Sequence, residues 1–259
     1  MPAAVDAQEL ESKVKDMYRH VAEEPRGAYH FEMGPPLAER LGYPTEVLDR
    51  IPAGAIESFA GVGYFFDLAA MEPGERVIDL GSGSGMDAFF AATEVEPTGG
   101  VIGVDFTVEQ LDKARELAAK AGFDQVEFRE ARIESLPVNN ESVDCVISNG
   151  VINLAPDKDQ VFAEVARVLR PGGRIAIADI VTEQQLKESI VCDVDLWASC
   201  IGGAAQQQAY RDAIAGAGLR IEELRENPYE FISDQARNAS EKYGVKSVSL
   251  LAVKTLGGT

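Results

Sequence analysis

Two carboxylates and three glycines stand out among the 259 residues for the chemistry their spacing allows. Asp79 is followed by Leu80-Gly81-Ser82-Gly83-Ser84-Gly85, and Asp105 ends the next apolar run. A turn stripped of side chains lets a ligand approach the backbone, and a carboxylate beside it can accept hydrogen bonds from both hydroxyls of a ribose. That combination suits a nucleotide. The elements that must position it are legible on either side. Val77-Ile78-Asp79-Leu80 reads as a short buried strand, Met86-Asp87-Ala88-Phe89-Phe90 opens a helix, and Val101-Ile102-Gly103-Val104-Asp105 is a second buried strand.

The spacing argues against a nicotinamide dinucleotide. Its fingerprint, G-x-G-x-x-G, needs glycine five positions after the first, where this chain has Met86. Here the glycines run G-x-G-x-G, with Asp79 two residues before them. A carboxylate there repels a pyrophosphate but suits a ligand that carries an ammonium and a sulfonium. S-adenosylmethionine is such a ligand. Methyl transfer from it is an in-line displacement in which positioning and dehydration supply much of the rate. No His or Lys stands in a recognisable base position, so the expected acceptor is a soft or stabilised-anion nucleophile (S, Se, As or activated C).

Composition narrows the partners. A net charge of −19 disfavours nucleic acid, whose recognition needs clustered Lys and Arg, and anionic membrane surfaces for the same reason. No stretch approaches a membrane span, and residues 1–6 lack the basic start and apolar core of a signal peptide, so a cytoplasmic protein acting on a small molecule is expected. Cys145, Cys192 and Cys200 make neither a disulfide framework nor a C-x-x-C spacing. His20 and His30 are little material for a metal site, and none is expected.

The chain divides by pattern. Residues 1–67 read as an N-terminal helical extension, with a helix over 8–23, a break at Glu24-Pro25-Arg26-Gly27 and a short helix over 45–50. Residues 68–259 read as the ligand-binding domain. Strands are expected at 76–80, 101–105, 126–129, 143–148 and 174–179, and helices at 87–93, 108–121 and 159–169. This alternation gives an α/β fold with a doubly wound, mostly parallel sheet. Arg170-Pro171-Gly172-Gly173 reads as a sharp helix-to-strand turn. Helices are expected over 183–199 and 206–217. Extended runs at 220–231 and 245–254, with no clear helix between them, suggest an antiparallel pair at a sheet edge.

Together the motifs resemble the class I S-adenosylmethionine-dependent methyltransferases, and over residues 75–204 the arsenite methyltransferases and related quinone C-methyltransferases. Beyond the glycine turn they include Gly103-Val104-Asp105-Phe106-Thr107, Ile133-Glu134-Ser135-Leu136-Pro137, Ile147-Ser148-Asn149, Asn153-Leu154-Ala155-Pro156-Asp157-Lys158 and Leu169-Arg170-Pro171-Gly172-Gly173. The resemblance implies a Rossmann-like fold with an antiparallel C-terminal strand. It also implies that Gly81, Ser82, Gly83 and Gly85 pass under the amino-acid part of the cofactor, with Asp79 near its ammonium. Asp105 would hold the ribose, Phe106 would cover the adenine, Ile133 and Glu134 would meet its edge, and Ser148, Asn149 and Gly150 would lie beside the reactive methyl.

The family's arsenic-binding cysteines are mostly replaced, by Val62 in Gly61-Val62-Gly63 and by Gly150 after Ser148-Asn149. Cys200 alone fits the pattern, and one thiol does not build a multi-thiolate site. Cys200, Trp197, Tyr29 and His30 are the candidate substrate-side residues, with packing the competing role for each. A non-catalytic binder of the same cofactor, and less readily an NAD-dependent oxidoreductase, remain alternatives.

Overall fold

Polar and apolar residues sort along the chain into one central sheet, described by a computed structural model for residues 6–27, 29, 31–191, 197 and 201–256. The chain enters through helix α1 (Ala7–Glu23), whose first turn is capped by Asp6, its carboxylate accepting from Gln8 N at 2.9 Å and Glu9 N at 3.1 Å. Four short helices follow: α2 (Pro35–Leu41), α3 (Thr45–Leu48), α4 (Ala53–Glu57) and α5 (Phe66–Ala69). Of these four the sequence suggests only α3, because helices of one or two turns are too short to show a period. Their apolar residues share a core with the sheet, where Leu37, Ile56 and Phe65 join Val77, Phe89 and Ile147.

The sheet is then laid down as β1 (Arg76–Leu80), α6 (Met86–Val95), β2 (Gly100–Asp105), α7 (Val108–Ala121), β3 (Val126–Glu130) and β4 (Val143–Asn149). A 3-10 turn (Ile152–Leu154), α8 (Lys158–Val168), β5 (Leu169–Thr182), α9 (Glu188–Val191) and β6 (Ala205–Gln206) continue it. The chain closes with α10 (Gln207–Gly216), β7 (Leu219–Glu226), α11 (Asp234–Tyr243) and β8 (Lys246–Lys254).

Strand order is β3-β2-β1-β4-β5-β8-β7, parallel from β3 to β5, with β8 antiparallel to both of its neighbours. The order reverses between β1 and β4, where Leu80 sits in register with Ser148, and a ligand crevice forms beyond the carboxyl ends of strands at such a switch point.

Three expectations change. No helix spans 183–199 in the described part. Strand β5 instead runs on to Thr182, its β-branched Val181 and Thr182 pairing with β6, and among the described residues helix starts only at Glu188, covering Glu188–Val191 and including Trp197. Residues 192–196 and 198–200 lie outside the described part. Residues 170–173, read as a turn, form the start of β5. Helix α8 does stop at Val168 and Gly172 does take φ 78°, and a register shift opposite Val143 and Cys145 absorbs the extra residues. Finally, α11 fills the gap between the last two strands. Among its described residues it buries Ala236, Ala239 and Tyr243, too thin a stripe to show in a polar sequence, yet Ser233 caps its start and Gly244 ends it.

Candidate active site

The glycine turn folds back over β2, with Gly81 N and Ser82 N both donating to Val104 O at 2.7 and 3.0 Å. Gly81 has φ 67°, and a Cβ there would stand 2.5 Å from both methyls of Val151. A Cβ on Gly85 would stand 2.7 Å from the Phe128 ring. These two glycines therefore make room for the protein's own side chains, which lets the turn lie close under the crevice. Gly83 serves another purpose, since its N–H donates to Asp105 Oδ2 at 3.0 Å while Thr107 N donates to Oδ1 at 2.8 Å. The carboxylate is thus aimed by a backbone N–H on each oxygen, with the Thr107 hydroxyl and Phe106 N–H also acting on it. Burial pushes the Asp105 carboxyl up, against the pull of those N–H groups.

Asp79 and Asp87 lie together behind the turn. Asp79 is 2% exposed; one oxygen accepts from Ala88 N, and Oδ2 has no partner. Burial, then the charges of Asp87 and Asp105, push its carboxyl well above the usual range. Burial likewise carries Asp87 to about 6, although Tyr43 and Asn149 donate to it. Ser82 Oγ is also buried without a partner. Leaving buried polar atoms unmade costs about 1–3 kcal/mol each, so the site is built to be completed from outside.

A cavity opens above these groups. Of the residues singled out from sequence, Gly81, Ser82, Gly83, Asp105, Phe106, Ile133, Glu134 and Asn149 line it. Asp79 and Gly85 lie in the wall behind. Ser148 ties strands together, its hydroxyl donating to Leu80 O at 3.1 Å, and Gly150 N donates to Ala178 O at 2.8 Å. Trp197 packs with Leu10, Val14 and Leu154, and its indole N–H donates to Val191 O at 2.5 Å. Tyr29 stacks on Phe31 with centroids 5.7 Å apart and donates to Glu24 O, away from the cavity lining. His30 and Cys200 lie outside the described residues.

The structure adds lining residues that sequence reasoning passed over: Leu10, Val14 and Tyr18 on one face of α1, the ion-paired Glu11 and Arg132, and Gln110. The i, i+4, i+8 spacing of the α1 residues was the available signal, but it does not say which surface the stripe covers.

Asn149 organises the opposite wall. Its Oδ1 accepts from Val62 N at 2.7 Å and Gly63 N at 3.3 Å, and its Nδ2 lies 3.0 Å from Gly63 O, Tyr43 Oη and Asp87 Oδ2. Tyr43 in turn donates to Asp87 Oδ1 at 2.7 Å. From the other side, Ser247 Oγ donates to Val62 O at 2.6 Å and Ser249 Oγ to Tyr64 O at 2.9 Å. The loop at 62–64 is thereby fastened on both flanks. Val62 is buried, its Cγ1 3.2 Å from where a Cβ on Gly150 would lie, so these two positions are neighbours.

A second buried polar cluster stands at the end of β5. Asp179 accepts from Tyr210 Oη at 2.7 Å and Ile180 N at 2.8 Å, and burial lifts it to about 6. Nearby Lys158 donates to Asn153 O at 3.2 Å and Ala155 O at 2.9 Å and lies 5.0 Å from the Trp197 ring centroid, with burial bringing its ammonium down to about 8.

A doubly wound sheet with a glycine turn after β1, a carboxylate ending β2 and an antiparallel last strand has the architecture of the class I methyltransferases. Residues 71–218 match the family described as "Methyltransferase domain", and the chain belongs to that family. Among curated relatives, the arsenite methyltransferase of Halobacterium salinarum is 46% identical over 199 residues, 76% of this chain and 51% of the relative. The human arsenite methyltransferase is 42% identical over 137 residues, 49% of this chain and 36% of that protein. The chain thus spans about half the length, or less, of these relatives. Among solved structures, the arsenic(III) S-adenosylmethionine methyltransferase of Chlamydomonas reinhardtii superposes with TM-score 0.63 at 30% identity, covering 86% of this chain and 74% of that one. A geranyl diphosphate methyltransferase shares the fold at TM-score 0.67 and 16% identity, over 95% of this chain and 100% of that chain.

Proposed function

We propose that this protein transfers a methyl group from S-adenosylmethionine to a small-molecule acceptor. The observation that carries the reading is Asp105, held by Gly83 N and Thr107 N in the lining of a cavity that also takes in Asp87 and Ser82 with its partnerless Oγ, with the partnerless Asp79 Oδ2 behind them. Its donor set fits the cofactor. A buried carboxylate pair suits an ammonium, a carboxylate with spare lone pairs suits a diol, and Phe106 with Ile133 offers apolar surface to a base. When bound, the cofactor supplies a methyl group on a sulfonium leaving group.

The residues of this chain bind, orient and exclude water. Asp105 fixes the sugar, Asp79 and Asp87 neutralise positive charge, and Leu10, Val14 and Leu154 keep the cavity apolar. Asn149 spends its amide on the 62–64 loop and on Tyr43 and Asp87, so its part is to hold the acceptor-side wall. Phe59, Ala60, Gly61 and Val151 make the lining there apolar, with Val62 packed against Gly150 behind it. This supports an acceptor that arrives already nucleophilic, such as a thiolate, a selenolate, a thiol-complexed arsenic(III) or a stabilised carbanion. We place the reaction in the cytoplasm and exclude nucleic acid as acceptor on the charge of −19. Among the described residues no helix is long and apolar enough to cross a membrane.

Calorimetric titration with S-adenosylhomocysteine tests the cofactor, with micromolar binding expected and NAD inert. A radiolabelled methyl-transfer series over thiols, selenols, arsenite with thiols and activated carbon acids tests the acceptor. Strict preference for an unactivated alcohol would overturn that part.

A further inference from the structure

Helix α1 crosses the mouth of the cavity and is fastened at both ends. Near its start Glu11 pairs with Arg132, and both line the cavity. Toward its end the carbonyls of Tyr18 and Ala22 accept from Gln110 Nε2 at 2.8 Å and Lys113 Nζ at 3.2 Å. Along this stretch Leu10, Val14 and Tyr18 line the cavity, so a cofactor seated there would be covered by α1.

Gln110 differs from the other fasteners in what its second atom touches. Its Oε1 accepts from Ser84 Oγ at 2.5 Å, within the glycine turn itself. The side chain is 1% exposed, and its orientation is set by chemistry. The Tyr18 carbonyl can only accept, so the NH2 group must face α1 and the oxygen must face the turn. Ser84, 4% exposed, must then donate its hydroxyl proton to Gln110. One carboxamide therefore joins the glycine turn to the helix that covers it, and a shift of the turn at Ser84 reaches Tyr18 through Gln110 alone.

We propose that Gln110 is a positioning residue that clasps α1 to the Gly83-Ser84 turn, so that closure of the cap depends on the shape of the turn and release of the clasp sets the exchange rate of donor and spent cofactor. This rests on the cavity being the cofactor site. Contacts through backbone carbonyls and one side chain can be undone singly, whereas the apolar face of α1 provides the surface on which it resettles.

Three variants separate the two halves of the clasp. Gln110→Met keeps the length and removes both hydrogen bonds. Gln110→Glu still accepts from Ser84 but turns an acceptor toward the Tyr18 carbonyl. Ser84→Ala removes the turn-side bond and leaves every contact of α1 in place. Stopped-flow association and dissociation of S-adenosylhomocysteine are measured together with amide exchange of residues 7–23 in the ligand-free protein.

The expected result for both Gln110 variants is a rise of about tenfold in both rate constants, the equivalent of about one hydrogen bond, with Kd moving much less. Exchange across α1 should accelerate in all three variants. The decisive arm is Ser84→Ala, which touches nothing on α1. If its α1 exchange matches wild type, or if the Gln110 variants keep wild-type rates, the coupling is wrong. A wild-type protein that fails to bind S-adenosylhomocysteine would remove the cofactor reading instead, and amide exchange in Ser84→Ala would still decide the clasp.

Discussion

The molecule buries two clusters of carboxylates, and they are built in opposite ways. Asp179, at the end of β5, accepts from a tyrosine and a backbone N–H and feels the ammonium of Lys158. Asp79 and Asp87, beneath the glycine turn, also receive a tyrosine and a backbone N–H, but the charges that act on Asp79 are those of Asp87 and Asp105, all of one sign. Both clusters hold a carboxyl lifted to about 6 by burial. One is complete within the protein, and the other is short of a positive charge and opens through Asp87 onto a cavity. Burial alone therefore does not separate a structural acid from a binding one. The missing counter-charge does.

The sharpest way to break that contrast is at the rim. Asp105→Ala removes the acceptor of two hydroxyl bonds, each charge-assisted and worth about 1.5–3 kcal/mol, so S-adenosylhomocysteine affinity should fall about 100-fold or more by calorimetry. Retained affinity would show that the sugar is not held there. Next come paired amides. Asp79→Asn should weaken S-adenosylhomocysteine about tenfold while leaving the thermal midpoint of the ligand-free protein unchanged or higher, because a like-charge contact is gone. Asp179→Asn should do the reverse, holding affinity and lowering the midpoint by several degrees, as about 1–3 kcal/mol is lost when Lys158 keeps its burial without a counter-charge. Equal behaviour of the two variants would erase the distinction between the clusters.

The smallest expected effect is on pH. Asp87 and Asp179, raised to about 6 in the folded chain, hold protons that the unfolded chain has released, so ligand-free stability should decline as pH rises from about 4 to 6. Asp67, held low by hydrogen bonds from Arg225, loses its contribution below that window, whereas Glu164 and Glu75, held low by Arg167 and Arg174, lose theirs as pH falls through the ordinary glutamate value of 4.5, so the decline is read cleanly only above about pH 5. A bound ammonium favours the ionised Asp79-Asp87 pair. Affinity for S-adenosylhomocysteine should therefore improve by up to about tenfold per unit as pH rises toward 6, opposite in sign to the ligand-free midpoint. The same slope for 5′-methylthioadenosine, which lacks the ammonium, would assign the effect to another group.

Much of this was legible in the sequence because local and tertiary signals agree there. Strands β1, β2 and β4 are apolar runs closed by turn residues, and α7 carries both its start and its stop at Val108–Ala121. The glycine turn and Asp105 stand out because their backbone and charge requirements are local. What stayed hidden depends on contacts between distant parts of the chain. Tyr43 meets Asp87 across 44 residues, and Gln110 reaches Tyr18 across 92. Nothing near either residue marks it as more than a core tyrosine or a helix-surface glutamine. Asn149 was visible as a motif residue, whereas its hold on the 62–64 loop was not.

That loop has a consequence for the order in which the protein is made. The cavity proposed for the donor is lined by residues up to Pro156, all made well before β8. The acceptor wall waits for Ser247 and Ser249, which clasp Val62 and Tyr64 from 185 residues downstream. On the proposed reading, a nascent chain thus shapes its methyl-donor pocket before it offers a finished face to the molecule to be methylated, because the two serines that fasten that face lie on β8.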